Sequence, residues 1–341
     1  MEVARTRPTK GGVATIRLVT GPSRKPRVLV VGDLVLDVVL VAARSVETGT
    51  DVPGRVEIRQ GGSAATTARW LARLGMSSQL ACAVGRDGAG RSLVLQLEQD
   101  GVTVRARRIA GHRTGRIGVL VAPGGERSFV QDRRAAELLD PEDLHPEWFA
   151  GVDLVHLPVY SMMGEHLART GRRAIELARA SGALVSIDLA SIGPLLATGR
   201  RAARELIAGA APNLLFATET EAVAFLGRYA ADGLLEFADV AVIKRGERGA
   251  RVLARRAGPA PDAGDGPEPP PPLAFDVATP AIAASDTTGA GDAFDAGFIA
   301  GWLTARAEGR PAADALHRAT MAGHRAAARQ LGAPRQELPP G

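Results

Sequence analysis

The chain has 341 residues, which is enough for one large α/β domain with a sizeable buried core. Hydrophobic residues make up 45% of it and exclude a wholly disordered protein, whereas only 4% are aromatic, so we expect a core of Ala, Val and Leu. The net charge is +5, but the arginines are spread along the chain without interleaved aromatic residues. We therefore expect solvated arginine-rich faces and no nucleic-acid partner.

The cellular location is predicted from the single cysteine and from the apolar runs. Cys82 stands alone, which excludes a disulfide framework and favours a reducing compartment. No run reaches the roughly 18 apolar residues of a membrane span, and the basic N-terminus lacks the apolar region of a signal peptide. We predict a cytoplasmic protein without membrane contact, in which residues 1–26 form a flexible extension.

The first predicted element is a buried parallel strand at residues 27–32, with the sequence RVLVVG. It leads into DLVLDVVL, which contains Asp33 and Asp37. Acids in an apolar stretch are costly to bury without partners, so we place each at a strand end or facing a cleft. Asp37 is then either the cap of a turn or a ligand-binding acid.

Residues 61–75, GGSAATTARWLARLG, predict a close approach of a ligand to the backbone, followed by a helix. The glycines Gly61 and Gly62 have no Cβ to obstruct such an approach. Residues 102–131 then consist of short strand-like runs separated by GHRTG and by a Pro-Gly-Gly hairpin turn. Together with residues 46–60, they predict a small β-sheet that projects from the main domain.

Strand-like and helical segments alternate through the middle of the chain. The strand-like segments are 152–157, 183–188 and 213–217, and the helical ones are 165–181, 200–209 and 219–226. This alternation is typical of a doubly wound, mostly parallel sheet flanked by helices, where ligands bind beyond the carboxyl ends of the strands. Asp188, Glu221 and Asp292 all fall near such ends.

Four segments complete the predicted organisation. Residues 240–249, VAVIKRGERG, predict a strand followed by a glycine-containing turn, and residues 312–331 predict a final helix. Residues 255–272 are rich in Pro, Gly and charge and predict an extended or disordered insertion. Residues 336–341 form a C-terminal tail.

The stretch 286–303, DTTGAGDAFDAGFIAGWL, is the strongest candidate for chemistry. Gly289, Ala290 and Gly291 predict a turn ahead of a helix, where backbone N–H groups and the helix N-terminus attract an anion. Asp292 follows directly and would repel that anion. We interpret it as a base that accepts a proton from a hydroxyl while the N–H groups hold a phosphoryl group. A dipole-compensating role is the alternative for Asp292.

The DTTGAGD turn and the upstream Gly61-Gly62 segment resemble the two signatures of the ribokinase-like, or PfkB, family of carbohydrate kinases. The resemblance covers residues 27–335 and implies a ribokinase-like fold, in which the small β-sheet is a lid over the acceptor site and the contact of a homodimer. It also implies ATP-dependent phosphorylation of a primary hydroxyl, with Asp292 as general base and the Gly289-Ala290-Gly291 turn as anion hole.

The same resemblance implies the residues that bind the acceptor. Asp37, Gly61, Gly62 and Thr66 match its acceptor-binding positions. Thr66 stands where the family usually has Asn, so one hydroxyl replaces an amide with separate donor and acceptor groups.

On the nucleotide side, the resemblance places Thr218 and Glu221 in an N-x-x-E motif, with Thr218 in place of Asn. Glu221 would bind Mg²⁺ through water, although taken alone it is a dipole partner in a first helical turn. The turn with Gly246 and Gly249 would lie against the nucleotide. Lys244 either pairs with a phosphate or faces solvent.

Three further residues complete the implied site. Met321 either borders the adenine or packs in the core. Asp286 and Thr288 match residues that, in many relatives, bind a monovalent cation such as K⁺.

Two other functions stay open from the sequence. A nucleoside kinase of the adenosine or pseudouridine type would use an aromatic clamp, but Phe129 is the only aromatic residue in the predicted lid, which favours a sugar. A sugar-binding regulator with weak catalysis is suggested by Thr66 and Thr218, whereas the intact GAGD sequence argues against it. The acceptor itself is not identified, and Arg113 and Arg116 either meet an anionic substrate or are solvated.

Overall fold

The structure is a computed structural model that describes residues 24–124, 126–227, 231–256, 271–280, 282, 286–332 and 338. Most of the predicted extension (1–26), insertion (255–272) and tail (336–341) lies outside the described residues, as does Gly125 of the predicted hairpin turn. In the part of the chain that is described, no helix is long and apolar enough to cross a membrane.

The β-strands of the described residues form two sheets. They are β1 Arg27–Val31, β2 Val35–Ala42, β3 Gly54–Gly61, β4 Ser77–Gly85, β5 Thr103–Ile109, β6 Arg116–Val121, β7 Arg127–Asp132, β8 Leu154–Pro158, β9 Leu184–Asp188, β10 Leu214–Thr218, β11 Val240–Lys244, β12 Ala250–Ala254 and β13 Leu273–Val277. Short 3₁₀ helices lie at Arg134–Glu137, Pro141–Asp143, Pro146–Trp148, Val159–Met162, Ala231–Glu236 and Gly246–Arg248.

The α-helices flank the larger sheet. They are α1 Ser63–Arg73, α2 Gly88–Gln99, α3 Gly164–Ala180, α4 Ile192–Leu196, α5 Arg200–Ala210, α6 Glu219–Leu226, α7 Ala290–Ala307 and α8 Ala312–Gly332.

The larger sheet has the strand order β13-β12-β11-β10-β9-β8-β1-β4-β5. Its neighbouring strands are parallel from β11 to β5, and only β12 and β13 are antiparallel to their neighbours. β1, β8 and β10 consist almost entirely of buried residues, as parallel strands that are covered on both faces require. Chain order runs outward in both directions from β1, so the predicted doubly wound sheet is confirmed.

Helices cover both faces of this sheet. One apolar core joins the sheet to α1, α2, α7 and α8, and the other joins it to α3, α5 and α6. α7 and α8 approach each other closely, because a Cβ on Gly297 would lie only 2.6 Å from the Ala322 carbonyl oxygen. This packing fixes the first turn of α7, which carries Asp292, against the rest of the domain.

The smaller sheet, which we call the lid, has the order β3-β2-β6-β7. β2 pairs antiparallel with β3 and parallel with β6, and β6 pairs antiparallel with β7. Side chains alternate between its two faces. Val35, Val39, Ile117 and Val119 pack together on the face that is turned to the main domain.

The predicted bounds of the lid were wrong at two strands. β5, within the predicted lid range 102–131, is the edge strand of the larger sheet and pairs with β4. β2, outside the predicted range, lies in the middle of the lid. As an edge strand with one polar face, β5 carries the alternating sequence TVRARRI, which resembles that of a partly exposed lid strand.

Candidate active site

Asp292 lies in the first turn of α7, directly after the Gly289-Ala290-Gly291 turn. Gly289 has φ +73°, in the left-handed region, and a Cβ there would lie 3.2 Å from the side chains of Thr66 and Gln330. The sequence therefore needs glycine at this point to bring α7 up to the site. N–H groups in the first turn of a helix have no intrahelical partner, so this end of α7 offers donors and a partial positive charge to an anion.

A cavity of about 360 Å³, which we call the acceptor cavity, lies on one side of this turn. Asp292 lines it together with the four residues predicted to bind the acceptor, namely Asp37, Gly61, Gly62 and Thr66. A Cβ on Gly61 would lie 1.9 Å from Oδ1 of Asp37, so only glycine leaves room for that carboxylate. The structure thus brings together residues that are separated by up to 255 positions in the sequence.

Ser63 is a site residue that the sequence analysis missed. Its hydroxyl donates a hydrogen bond to Oδ1 of Asp292 at 2.5 Å, from the first residue of α1. Thr66, one turn later, donates its own hydroxyl to the Gly62 carbonyl at 2.9 Å. The Thr66 hydroxyl therefore donates its hydrogen bond to the backbone ahead of α1, whereas the Ser63 hydroxyl donates to Asp292. A small polar residue directly after the paired glycines was the available signal.

The environment of Asp292 favours a proton on its carboxyl group. Burial raises the pKa of Asp292 from 3.8 to about 7, because desolvation disfavours the charged form. The hydrogen bond from Ser63 and the positive charge of Lys244 lower it, while the nearby carboxylates of Asp188 and Asp33 raise it further. A carboxyl group with a pKa near neutrality is suited to accept a proton during turnover.

A second cleft, of about 860 Å³, lies on the other side of the same turn and is called the nucleotide cleft below. The predicted residues Thr218, Lys244, Gly246 and Gly249 line it. Helix α8 contributes His324, Ala327, Ala328 and Leu331, which recur at helical spacing on one face. Met321 does not line the cleft, because it lies about one turn before His324, where the cleft ends. Its contact with a nucleotide stays a prediction.

Lys244 is largely buried and ion-paired, and it does not face solvent. Its Nζ lies 3.2 Å from Oδ1 of Asp188 and 3.1 Å from both carboxylate oxygens of Asp295, which is fully buried. Burial alone would lower the pKa of the Lys244 amine, but the charges of Asp188, Asp295 and Glu221 outweigh it and raise the pKa above its ordinary value. Lys244 is therefore charged, and it stands beside Gly291, where a Cβ would lie 3.5 Å from Nζ.

Glu221 and Thr218 form a capping box at the start of α6. The Thr218 hydroxyl accepts from the Glu221 N–H at 3.2 Å, and the Glu221 carboxylate accepts from the Thr218 N–H at 2.7 Å. Burial, followed by the charge of Asp188, raises the pKa of Glu221. The capping role is thus a structural fact, and the Mg²⁺ role through water stays a prediction.

The segment ahead of the anion-hole turn is held by arginines of the lid. Arg59 and Arg127 each approach Asp286, at 3.1 Å, and Arg127 also donates to the hydroxyls of Thr287 and Thr288. These arginines could not be predicted from the sequence, because their pairing depends on how the lid lies over α7. The monovalent cation expected at Asp286 and Thr288 stays a prediction.

The two arginines that the sequence offered for an anionic substrate lie elsewhere. Arg113 approaches Asp132 at 3.5 Å on the surface, and Arg116 is exposed. Neither lines the acceptor cavity. The arginines that do line it are Arg59, Arg69 and Arg73.

Comparison with known proteins identifies the family. Residues 25–334 match the pfkB family of carbohydrate kinases. The chain is 34% identical over 283 residues to an ATP-dependent ribose-1-phosphate kinase of Halopiger xanaduensis, which covers 82% of this chain and 85% of that protein. It is 30% identical over 291 residues to a fructokinase of Salmonella typhimurium, covering 80% and 83%. The chain belongs to the pfkB family and is an ATP-dependent carbohydrate kinase.

Solved structures share the fold. An adenosine kinase from Sinorhizobium meliloti superposes with a TM-score of 0.75 at 22% identity, covering 92% of this chain and 98% of that one. A putative ribokinase II from E. coli, in complex with ATP and Mg²⁺, gives a TM-score of 0.72 at 20% identity, covering 91% and 94%. At these identities the likeness concerns the fold, and it confirms the predicted ribokinase-like architecture.

The raised pKa predicts that Asp292 destabilises the folded protein at neutral and alkaline pH. The folded state binds the Asp292 proton more tightly than the unfolded state does. The stability that this proton contributes is therefore complete below pH 3.8 and is lost as the pH rises through about 7. We expect Asp292→Asn to be more stable than the wild type at pH 8. Since one pKa unit is about 1.4 kcal/mol, the gain has an upper limit of about 4 kcal/mol.

Urea unfolding at pH 8 and pH 5 measures this difference. The gain should shrink toward pH 5, and the exposed control Asp51→Asn, between β2 and β3, should show none at either pH. An Asp292→Asn variant that is less stable than the wild type at pH 8 would contradict the raised pKa.

Proposed function

We propose that this carbohydrate kinase transfers the γ-phosphoryl group of ATP to a primary hydroxyl of a sugar or sugar derivative, with Asp292 as general base. The observation that supports this is the position of the turn between two cavities. Gly289 and Asp292 line the acceptor cavity, whereas Ala290 and Gly291 line the nucleotide cleft. A hydroxyl on one side and a terminal phosphate on the other would therefore meet at this turn.

In this proposal, the protein positions the groups and compensates their charge. Ser63 orients the Asp292 carboxylate. This carboxylate takes the proton of the acceptor hydroxyl while the hydroxyl oxygen bonds to the γ-phosphorus of ATP. The first-turn N–H groups of α7 stabilise the charge on the phosphoryl oxygens. Positioning and electrostatic stabilisation supply most of the catalysis in phosphoryl transfer.

The nucleotide cleft fits ATP. Its apolar face on α8 suits a base, and the backbone at Gly246 and Gly249 suits close contact with the nucleotide. No three His, Cys, Asp or Glu side chains of the described residues are grouped to hold a metal. We therefore assign Mg²⁺ to the phosphates and water, with Glu221 acting through water. When bound, Mg²⁺ neutralises phosphate charge.

We assign Lys244 to the transferring phosphate rather than to the nucleotide in general. Its ammonium is fixed by Asp188 and Asp295 and stands next to Gly291 of the anion hole. A fixed positive charge in a buried site stabilises developing negative charge without reorganisation. Lys244 thus adds a positive charge to the N–H donors of the turn.

The acceptor cavity favours a sugar over a nucleoside. None of the described residues that line it is aromatic, so it offers no stacking surface for a base. Phe129 lies on the lid, half exposed, and is not among the lining residues. The names of the two relatives above, a ribose-1-phosphate kinase and a fructokinase, support the same choice.

We further propose a homodimer through the outer face of the lid. This face exposes apolar side chains that alternate with those packed on the main domain: Leu40, Val56, Ile58 and Val130, with exposed fractions of 38%, 63%, 41% and 75%. A contiguous apolar surface of this kind marks an interaction site. In the proposed homodimer, the lid of the second protomer would cover this apolar face with its own equivalent strands.

A cytoplasmic location is proposed for the same enzyme. The reaction consumes ATP, and the single cysteine, Cys82, is a buried free thiol. Burial raises the pKa of Cys82 to about 12, which keeps the thiol protonated and unreactive.

Replacement of the base tests the mechanism. We expect Asp292→Asn to lower kcat by about 10²–10⁴, because a neutral amide cannot accept the proton, while ATP binding by calorimetry stays within a few-fold of the wild type. The matched control is Asp314→Asn, in the first turn of α8 and outside the lining of both cavities, and it should keep full activity. A kcat for Asp292→Asn within tenfold of the wild type would remove Asp292 as the base.

Replacement of Lys244 tests its assignment. Lys244→Met should lower kcat by about 10²-fold, the loss typical of one preorganised charge partner, but it also leaves Asp188 and Asp295 without their cation. The double variant Lys244→Met/Asp295→Leu removes one of those carboxylates and should recover thermal stability without recovering kcat. Recovery of both would show that Lys244 acts only on folding.

The dimer is tested by Val130→Glu, which places a charge on the outer face of the lid. We expect sedimentation to give a dimer for the wild type and a monomer for the variant, because a buried unpaired carboxylate opposes association. Glu126→Gln, at the edge of the lid, serves as control. A monomeric wild type would contradict the proposed homodimer and would leave the proposed reaction unaffected.

A further inference from the structure

The acceptor cavity extends well beyond the residues that the reaction needs. Ser63, Thr66, Arg69 and Arg73 line it and recur three or four residues apart, so a single stripe of α1 forms one wall. Ser63 contacts Asp292, so residues later in α1 lie progressively farther from the Asp292 carboxylate. At 1.5 Å per residue, the backbone of Arg69 lies about 9 Å and that of Arg73 about 15 Å along the helix from Ser63.

The charged residues of this cavity differ along its length, and the arginine beside the turn, Arg59, is paired with Asp286 and Glu57. The cavity's acidic lining residues, among those described, are Asp37 and Asp292, both near the reacting end. The wall beyond Thr66 instead carries Arg69 and Arg73 together with Gln60 and Gln96. A neutral sugar needs donors and acceptors in similar numbers along its length, whereas this wall offers mainly donors and positive charge.

The arginines of this wall are held in place before any ligand binds. Nε of Arg69 and Nη2 of Arg73 lie 2.7 Å and 2.9 Å from the two oxygens of Asp100, and Arg69 also donates to Oε1 of Gln60. The Arg69 side chain is only 18% exposed. Guanidinium groups that are fixed by a carboxylate are preorganised to approach a second anion.

Buried polar atoms at this wall lack partners among the described residues. They are Nε2 of Gln60 and Oε1 of Gln96, each on a residue that lines the cavity. The first is an N–H donor, and rotation of the Gln96 amide by 180° would present a second. Buried donors without partners are costly, so their grouping at one end of a cavity indicates a ligand that accepts hydrogen bonds.

We infer that the acceptor already carries a phosphate ester, which binds at Arg69, Arg73 and Gln60 while its free hydroxyl reaches Asp292. The inference rests on the proposed function and names its substrate class: a sugar phosphate, whose product is a sugar bisphosphate. The hydroxyl oxygen bonds to the γ-phosphorus, the bond from that phosphorus to ADP breaks, and the hydroxyl proton passes to Asp292. The carboxylates near Asp292 repel the phosphate ester and so fix this orientation.

Matched pairs of acceptors test the inference. ADP release is measured with D-ribose and D-ribose 1-phosphate, and with D-fructose and its 1- and 6-phosphates, with D-gluconate as a carboxylate probe. We expect a phosphorylated member of a pair to have a kcat/KM at least 100-fold above that of its free sugar. A free sugar that equals or exceeds its phosphates would overturn the inference and leave the proposed function standing, as would a preference for gluconate over every phosphate. Absence of ADP release with every acceptor would contradict both.

Variants of Arg69 then assign the phosphate to its wall. Arg69→Gln should raise KM for the phosphorylated acceptor by about tenfold or more, as expected for a charge-assisted hydrogen bond, with kcat nearly unchanged. KM for the corresponding free sugar should not move. Arg69→Lys should restore part of the affinity, and the exposed Arg91→Gln on α2 is the control. A rise in KM that is equal for both members of a pair would show a merely structural role and overturn the assignment.

Discussion

Five ionisable groups meet at the carboxyl ends of β9, β10 and β11, and only one of them is positive. The ammonium of Lys244 contacts Asp188 and Asp295, and it also acts on Glu221 and Asp292. One cation cannot compensate four carboxylates. Burial and mutual repulsion therefore raise the pKa values of Glu221, Asp292 and Asp295, each in the direction of the protonated form.

Burial first, and the neighbouring carboxylates second, set the basicity of Asp292. A carboxylate in water would be too weak a base to take a proton from a hydroxyl, whereas the pKa of Asp292 is about 7. Lys244 brings a positive charge next to the turn that precedes Asp292, because a Cβ on Gly291 would lie 3.5 Å from its Nζ.

The geometry around Asp292 depends on two glycines that bring separate segments together. Gly289 lets α7 begin against Thr66 and Gln330, and Gly61 lets Asp37 lie directly over the end of β3. Ser63 then links α1 to α7 through its hydrogen bond to Asp292. One turn of α7 is thereby shared by the acceptor cavity and the nucleotide cleft.

The sequence predicted those features that local residues determine. Apolar runs such as RVLVVG predicted the parallel strands, and the GAGD sequence predicted both the turn and its acid, because small residues and a helix start are encoded within a few positions. It also placed Asp37, Gly61 and Gly62 with Asp292, through the family resemblance.

Features set by tertiary packing could not be predicted in this way. Lys244 was left as a phosphate ligand or a solvated residue, since its partners Asp188 and Asp295 lie on other elements, 56 and 51 residues away. The family resemblance placed Met321 beside the adenine, whereas the α8 residues that line the cleft begin one turn later, at His324. Arg59 and Arg127 meet Asp286 only because the lid lies over α7.

The most direct test of the account is the pH dependence of kcat/KM for a phosphorylatable acceptor, which reports the ionisation of the free enzyme. Only the ionised Asp292 can accept the hydroxyl proton. We therefore expect log kcat/KM to rise with a slope of about one below a break near pH 7, where the Asp292 pKa of about 7 lies, and to level off above it. A profile that stays flat down to about pH 5 would contradict the central claim that Asp292 is a base with a raised pKa.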